Sequence, residues 1–328
     1  MARAGIALVA VVAAAANEAS GFGRIVRLRP VTLTKMDGVI VVDKAKGWTS
    51  HDVVGKMRGI AGTRIIGHLG TLDPMATGVL PLVIDRATRL ARFFVKNDKA
   101  YEGTIRFGQA TDSHDAEGQA TGEAREFIAT PELIEHILPQ FRGTFMQTPP
   151  AVSAKKINGQ PAYKMARKKI AVELAPVEVT VHELTLLGCD GPEIRVRVHC
   201  SSGTYLRAIA HELGQAAGVG AHLSALRRLR AGDFTIENAR TLDELQALAT
   251  AGRLSEALLP GVRLLPEFPS YVVDRITEGQ IRQGRDFRTS PFRTPVDARY
   301  VKAITEDGVL LAVGEAVLPN LYHPMMVL

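Results

Sequence analysis

Cysteine, aromatic side chains and long apolar runs are all scarce in this 328-residue chain. Its two cysteines, Cys189 and Cys200, lie in separate apolar or strand-like stretches without a C-x-x-C spacing. That placement argues against a zinc site or a disulfide framework and favours a reducing, cytoplasmic location. The one near-continuous apolar run, residues 4–16, is shorter than the roughly 20 residues that cross a bilayer, so we predict no transmembrane segment.

The N-terminal run has two interpretations. Together with Arg3 it resembles the apolar core of a secretory signal. We favour a start of translation at Met36, with residues 1–35 a disordered or artefactual extension, because the rest of the sequence is typical of a cytoplasmic protein.

Composition and charge indicate a globular protein with a polyanionic partner. Hydrophobic residues make up 46% and charged residues 23% of the sequence, as in ordinary soluble domains. The formal net charge of +6 and the sequence pI of about 9.4 favour an acidic partner such as nucleic acid. The length suits one large domain or two of ordinary size.

Strand and helix patterns are interspersed without a regular βαβ period, which predicts an α+β fold. Residues 38–42 are apolar enough for a central strand, and residues 101–107 alternate as in a half-buried one. Asp73 followed by Pro74 predicts a helix that begins at the proline, since an N-cap carboxylate often precedes a proline in the first helical position.

The most informative stretch is Gly67 to Leu82, GHLGTLDPMATGVLPL, which places Asp73 between glycines and the predicted helix. Glycines let a flat ligand approach the backbone closely, and His68 is near enough in sequence to flank the same pocket. Taken alone, an Asp-Pro pair beside a histidine is better explained as a helix cap next to a loop. The whole string, however, resembles the aspartate-bearing motif of the TruB family of tRNA pseudouridine synthases.

Other segments extend this resemblance from Met36 to about residue 240. They are a strand-and-lysine motif (residues 37–51), a tyrosine segment (Asp98-Lys99-Ala100-Tyr101), a proline block (147–156), an arginine motif (200–207) and a closing segment (220–229). Lys155 departs from the family pattern, where an apolar residue is more usual, and this puts only local packing in doubt.

The resemblance implies the pseudouridine synthase fold, with a mixed, largely antiparallel central sheet flanked by helices and a small β-rich, PUA-like C-terminal domain. We therefore predict a catalytic domain over residues 36–262 and an RNA-binding PUA-like domain over residues 263–328. Within the first, residues 153–172 are expected to form a basic insertion that grips RNA.

The implied activity is the isomerisation of one uridine in the T-loop of tRNA, uridine 55, to pseudouridine by base flipping and N-glycosidic cleavage. No redox step occurs, so no cofactor or metal is expected. The resemblance makes Asp73 the catalytic carboxylate, either as a nucleophile or as a base. It makes Arg207 the cation that keeps Asp73 ionised, Tyr101 the ring that stacks on the uracil, and Lys44 an electrostatic support for the loop.

Three further residues are expected to bind the substrate. His68 is expected to occupy the space that the flipped base leaves, Tyr205 to form part of the pocket wall, and Leu226 to make an apolar contact to the base. Away from the motif, His68 would be explained as a loop histidine satisfied by backbone groups, and Leu226 as an ordinary core leucine.

Residues 153–172 contain six lysines and arginines and no acid. We assign the grip on the RNA backbone to four of them, Lys164, Arg167, Lys168 and Lys169. A solvated charged face is the alternative. A second basic cluster, Arg227, Arg228 and Arg230, is expected to assist.

Three other functions fit the sequence less well. An RNA-binding or tRNA-folding module with dispensable catalysis is disfavoured because Asp73 and Arg207 are both present. A glycoside hydrolase needs a second carboxylate near Asp73, and the motif offers none. The guide-RNA-dependent branch of the family carries charged tails that this chain lacks. The expected partner is therefore the T-arm of tRNA, with no membrane and no obligate protein partner, for a monomer in the cytoplasm.

Overall fold

The computed structural model of the chain describes residues 36–150, 156–157, 160–161, 174–290 and 298–328. The α-helices of these ranges are α1 (Ser50–Ala61), α2 (Ala91–Phe94), α3 (Pro131–Ile137), α4 (Leu206–Ala216), α5 (Leu242–Thr250) and α6 (Arg275–Arg282). The strands of the same ranges are β1 (Gly38–Lys44), β2 (Ile66–His68), β3 (Thr77–Ile84), β4 (Lys99–Phe107), β5 (Ala110–Thr111), β6 (Ala120–Thr121), β7 (Gly143–Gln147), β8 (Lys156–Ile157), β9 (Gln160–Pro161), β10 (Val177–Asp190), β11 (Glu193–Cys200), β12 (Ala221–Ala231), β13 (Phe234–Thr235), β14 (Leu258–Pro260), β15 (Ser270–Val272), β16 (Phe287–Arg288), β17 (Tyr300–Ile304), β18 (Leu310–Leu318) and β19 (Leu321–Val327).

One large sheet organises the described part of the chain. Its strands run in the order β14-β1-β3-β12-β4-β11-β10-β7, with β2 attached to β3 and β13 to β12. The pairing of β3 with β12 is parallel, and the other pairings in this sheet are antiparallel. The α+β class and the mixed, largely antiparallel central sheet are thus confirmed.

Strand β1 lies in the middle of the core because both of its faces are covered. Ile40 and Val42 pack into a cluster with Val53 and Met57 of α1, whereas Val39 and Val41 belong to a second cluster on the opposite face. A strand that is buried on both faces has an almost continuous apolar sequence. This explains why the apolar residues 38–42 predicted a central strand. The predicted alternation of β4 is also confirmed, since Tyr101, Gly103, Ile105 and Phe107 are its buried positions.

The helix predicted to begin at Pro74 is wrong. In this fully described segment Pro74 and Met75 form a turn, and β3 begins at Thr77. Pro81 would have disrupted a helix at that point, because it lacks an N–H and clashes with the preceding turn. The apolar residues that follow are buried between β1 and β12 as a central strand, so tertiary burial outweighs the local Asp-Pro signal.

A second sheet forms the C-terminal part, with strand order β15-β17-β18-β19-β16. Val301, Ala312 and Tyr322 are part of its small core, and α6 packs there through Ile281. The expected β-rich C-terminal unit is therefore confirmed as a fold feature. The domain boundary after residue 262 stays a prediction. Strand β14, which ends just before that boundary, pairs with β1 and so belongs to the central sheet. None of the helices in the described ranges has the length and apolar character that crossing a membrane requires.

Candidate active site

A cavity of about 510 Å³ opens beside the Asp73 loop. The structure brings five of the predicted site residues to its wall: Asp73, Tyr101, Tyr205, Arg207 and Leu226. They come from four separate parts of the chain, namely the loop before β3, strand β4, the start of α4 and strand β12. A cavity of this size can hold a planar base with part of its sugar.

Arg207 forms an ion pair with Asp73, with Nε 2.9 Å from Oδ2. The Arg207 side chain is only 5% exposed, whereas that of Asp73 is 35% exposed. The guanidinium therefore lies behind the carboxylate, and the carboxylate faces the cavity. This arrangement places together the cation and the carboxylate that the sequence predicts as a pair.

The same guanidinium also binds a second carboxylate, which the sequence reasoning missed. Nη1 of Arg207 is 3.2 Å from Oδ2 of Asp115 and donates to the carbonyl of Ser113 at 3.1 Å. Asp115 is 5% exposed at its side chain, and its other oxygen accepts from the Ser113 hydroxyl at 2.6 Å and the Glu117 N–H at 3.0 Å. Asp115 does not line the cavity, so it orients Arg207 from behind and does not form a glycosidase-type pair with Asp73.

Burial and neighbouring charges have opposing effects on the pKa of Asp73. Burial raises the pKa of the Asp73 carboxyl above its ordinary value, Arg207 and Lys44 lower it, and the negative charge of Asp115 raises it again. The net direction is upward. Arg207 therefore only partly offsets the cost of keeping the carboxylate ionised in a dehydrated cavity.

Buried contacts hold the Asp73 loop from both sides. The hydroxyl of Ser50 accepts from the Leu72 N–H at 2.8 Å and donates to its carbonyl at 3.1 Å. Lys44, which is fully buried, donates from Nζ to the carbonyl of Pro74 at 3.2 Å and to that of Trp48 at 2.6 Å. Burial lowers the pKa of Lys44 to about 8. The backbone on either side of Asp73 is thus fixed, and Lys44 acts behind the loop and not on the cavity wall.

Arg228 was expected to belong to an RNA-binding cluster, and this is wrong. Its side chain is 1% exposed and donates to the carbonyls of Gly70, Thr71 and Val79 at 3.1, 3.3 and 2.7 Å. It can come so close because Gly78 has φ +98° and no Cβ, which would otherwise lie 2.2 Å from the Arg228 carbonyl oxygen. Arg228 therefore stabilises the Asp73 loop from inside the protein.

Tyr101 and Tyr205 are held by different means. Burial raises the pKa of the Tyr101 hydroxyl, and the positive charge of Arg228, together with a hydrogen bond to its side chain, partly counteracts that shift. Gln147, which is fully buried, accepts from the Tyr205 N–H at 2.8 Å and donates to the Tyr205 carbonyl at 3.1 Å, and so fixes the N-cap residue of α4. Both rings border the cavity from rigid supports.

The remaining predicted residues lie elsewhere. His68 ends β2 and is not part of the cavity wall, and burial lowers the pKa of its imidazole. The four assigned grip residues, Lys164, Arg167, Lys168 and Lys169, lie outside the described residues. Arg227 is partly exposed but pairs with Asp43, with Nη2 2.7 Å from Oδ2.

Two family models match the chain. One, described as "TruB family pseudouridylate synthase (N terminal domain)", covers residues 58–206, and the other, "tRNA pseudouridylate synthase B C-terminal domain", covers residues 207–265. The class of protein that the fold and the cavity define is therefore that of the pseudouridine synthases, which are isomerases.

Similar proteins identify the family within the pseudouridine synthases. The chain is 59% identical over 293 residues to tRNA pseudouridine synthase B of Solibacter usitatus, covering 89% of this chain and 100% of that protein. It is 45% identical over 291 residues to the protein of the same name from Thermobifida fusca, covering 85% and 94%. The chain belongs to the TruB family of pseudouridine synthases.

Solved structures agree with the fold. A structure of a Cbf5-Nop10-Gar1 complex aligns with 87% of this chain and 80% of its own, at 26% identity and a TM-score of 0.64. The archaeal box H/ACA Nop10-Cbf5 complex aligns with 91% and 88%, at 23% identity and a TM-score of 0.66, and shows the fold alone.

Proposed function

We propose that this enzyme isomerises uridine 55 in the T-loop of tRNA to pseudouridine, with Asp73 as the catalytic carboxylate. The observation that carries the proposal is a partly exposed Asp73 carboxylate that faces a base-sized cavity while a buried Arg207 pairs with it at 2.9 Å. The relatives named above are tRNA pseudouridine synthases, which supports tRNA as the substrate.

The reaction exchanges one bond to the sugar for another. The N1–C1′ bond breaks, the uracil turns, a C5–C1′ bond forms, and the proton lost from C5 is replaced by one gained at N1. The atoms balance without an oxidant or a hydride, so the chain's own acid–base groups suffice. Asp73 serves either as the nucleophile that holds a covalent intermediate or as the base that removes the proton.

The cavity supplies the setting for these steps. The ring of Tyr101 stacks on the flipped uracil, Leu226 contacts its apolar edge, and Tyr205 closes the wall. Flipping costs a few kcal/mol of stacking and pairing, which contacts in the vacated space help to offset. His68 fills that space, and the basic residues Lys164, Arg167, Lys168 and Lys169 hold the RNA backbone.

The proposed partner is the T-arm alone. The expectation from the sequence, that the protein acts in the cytoplasm as a monomer without an obligate protein partner, is part of this proposal. So is the division into a catalytic domain over 36–262 and an RNA-binding domain over 263–328.

An unmodified T-arm minihelix incubated with the purified protein tests the proposal. Mass spectrometry and chemical mapping should find pseudouridine at position 55 with wild-type protein and none with Asp73→Asn. Binding without conversion by the wild type would favour an RNA-folding module instead. Conversion at another uridine would refute the assigned position, and conversion by Asp73→Asn would refute the role of the carboxylate.

A further inference from the structure

Two histidines and an aspartate meet on the protein surface, away from the Asp73 cavity. Nε2 of His182 is 3.1 Å from Oδ2 of Asp98, and Nε2 of His199 is 3.8 Å from the same oxygen. One possible ligand atom from each of the three residues lies within 4.8 Å of the other two. The two imidazole rings have centroids 4.9 Å apart.

Strand pairing, and not a loose loop, brings these groups together. Val181 of β10 lies opposite Cys200 of β11, and Glu183 lies opposite His199, so His182 is an extra residue in a β-bulge. A bulge redirects its side chain, here toward the neighbouring His199. Asp98 immediately precedes β4, whose first residue also pairs with Cys200. Three adjacent strands therefore fix the three donors.

We propose that Asp98, His182 and His199 form a binding site for a divalent transition-metal ion, with zinc as the representative ion. Zinc bonds of about 2.0–2.1 Å to nitrogen and oxygen in a tetrahedron place neighbouring ligand atoms about 3.3 Å apart. The two distances to the Asp98 oxygen, 3.1 and 3.8 Å, lie on either side of that value, and all three ligand atoms lie within 4.8 Å of one another. Side-chain rotations that draw the three atoms together would complete the site. Two imidazoles with one carboxylate suit zinc, copper or nickel and leave a position for water.

The site is accessible and has room for a hydrated ion. The side chains of Asp98, His182 and His199 are 43%, 39% and 29% exposed. Asp98 and His199 also line an open cavity of about 550 Å³, to which Asp233 and Glu267 add two further carboxylates. Water held on the ion can therefore reach additional acceptors.

One contact competes with the ion. Nη2 of Arg230 lies 2.9 Å from Nε2 of His199, on the lone pair that a metal would take. Arg230 is exposed and borders the same open cavity, so its guanidinium can move aside. Its positive charge lowers the affinity for a cation, which makes Arg230 a useful position for a test.

Metal binding would connect the strands next to the active-site cavity. Asp98 lies between Val95 and Lys99, and both of these line the Asp73 cavity. An ion held by Asp98 together with β10 and β11 would fasten this segment to the sheet. Because metal binds the folded state, the thermal midpoint should rise with zinc concentration.

Isothermal titration of the untagged, full-length, chelator-treated protein with ZnCl2 at about pH 7.5 tests the proposal. We expect one ion per chain, an affinity loss of at least about tenfold in His182→Ala and in His199→Ala, and a smaller loss in Asp98→Asn. The control is His323→Ala, because His323 pairs with Asp286 at 2.7 Å on the surface without a third ligand among the described residues.

Arg230→Gln should bind zinc several-fold more tightly than the wild type. An unchanged or weaker affinity in that variant contradicts the placement of the ion at His199. Absence of binding to the wild type at roughly 100 µM zinc overturns the site, and so does equal affinity in the wild type and both histidine variants. Circular dichroism confirms that the surface variants are folded.

Discussion

Replacing Asp115 with asparagine removes one of the two carboxylates on Arg207 while preserving the shape of the side chain. The lost attraction acts over 3.2 Å between buried groups, which corresponds to about 5 kcal/mol at an effective dielectric constant of about 20. Desolvation offsets much of this attraction, and Arg207 keeps Asp73 as a partner at 2.9 Å. We therefore expect the free energy of unfolding to fall by only about 1–3 kcal/mol.

The effect of Asp115→Asn on catalysis should be larger than its effect on folding. Without the charge of Asp115 the guanidinium is held less firmly, although its contacts with Asp73 and the Ser113 carbonyl remain. A shift of about 1 Å at a reacting group costs on the order of 100-fold in rate. The pH dependence should change as well. The charge of Asp115 raises the pKa of Asp73, so its removal should move the acidic limb of the kcat profile to lower pH.

Steady-state measurements of kcat on a T-arm minihelix across the acidic range, with urea unfolding of the same samples, measure both effects. Glu117→Gln is the matched control, because Glu117 is an exposed acid in the same loop. An acidic limb that stays in place or moves to higher pH would show that Asp115 does not act on the charge of Asp73. A kcat unchanged from the wild type would refute the positioning of Arg207.

Three further predictions follow from the site and its surroundings. Asp73→Asn should abolish conversion yet bind tRNA with nearly wild-type affinity, and its filter-binding curve should therefore overlay that of the wild type; a large loss of affinity would make Asp73 a binding residue instead. Replacing Lys164, Arg167, Lys168 and Lys169 with alanine should weaken tRNA binding and reduce the slope of log K against log salt by about 3, and an unchanged slope would exclude the segment as the grip. The rings of His114 and His211 stack with their centroids 3.9 Å apart. Burial, and to a smaller extent the charges of His211 and Arg207, lowers the pKa of His114 from 6.5 to about 4. The folded state therefore binds a proton less readily than the unfolded state, so this group reduces stability as the pH falls from about 6.5 to 4. His114→Phe keeps the stack without the titration, and its thermal midpoint should fall less over that range; equal slopes for the two proteins would refute the assignment.

The sequence by itself determined the features that depend on neighbouring residues or on a long motif. The apolar run of β1 and the alternation of β4 are local patterns, and a chain that buries one or both faces of a strand must show them. The sixteen-residue string around Asp73 and the motif that contains Arg207 sufficed to indicate the family, the fold and the pair of residues that meet at 2.9 Å.

Only the tertiary structure decided which distant groups share a site. Asp115 reaches Arg207 from a polar turn whose spacing says nothing about α4, and Arg228 is buried because Gly78 lets two strands approach closely. The same holds for the strand after Pro74, where burial between β1 and β12 overrides a local helix signal. Strand register and burial are properties of the assembled sheet. Residues far apart in sequence therefore become neighbours although no local sequence pattern predicts the contact.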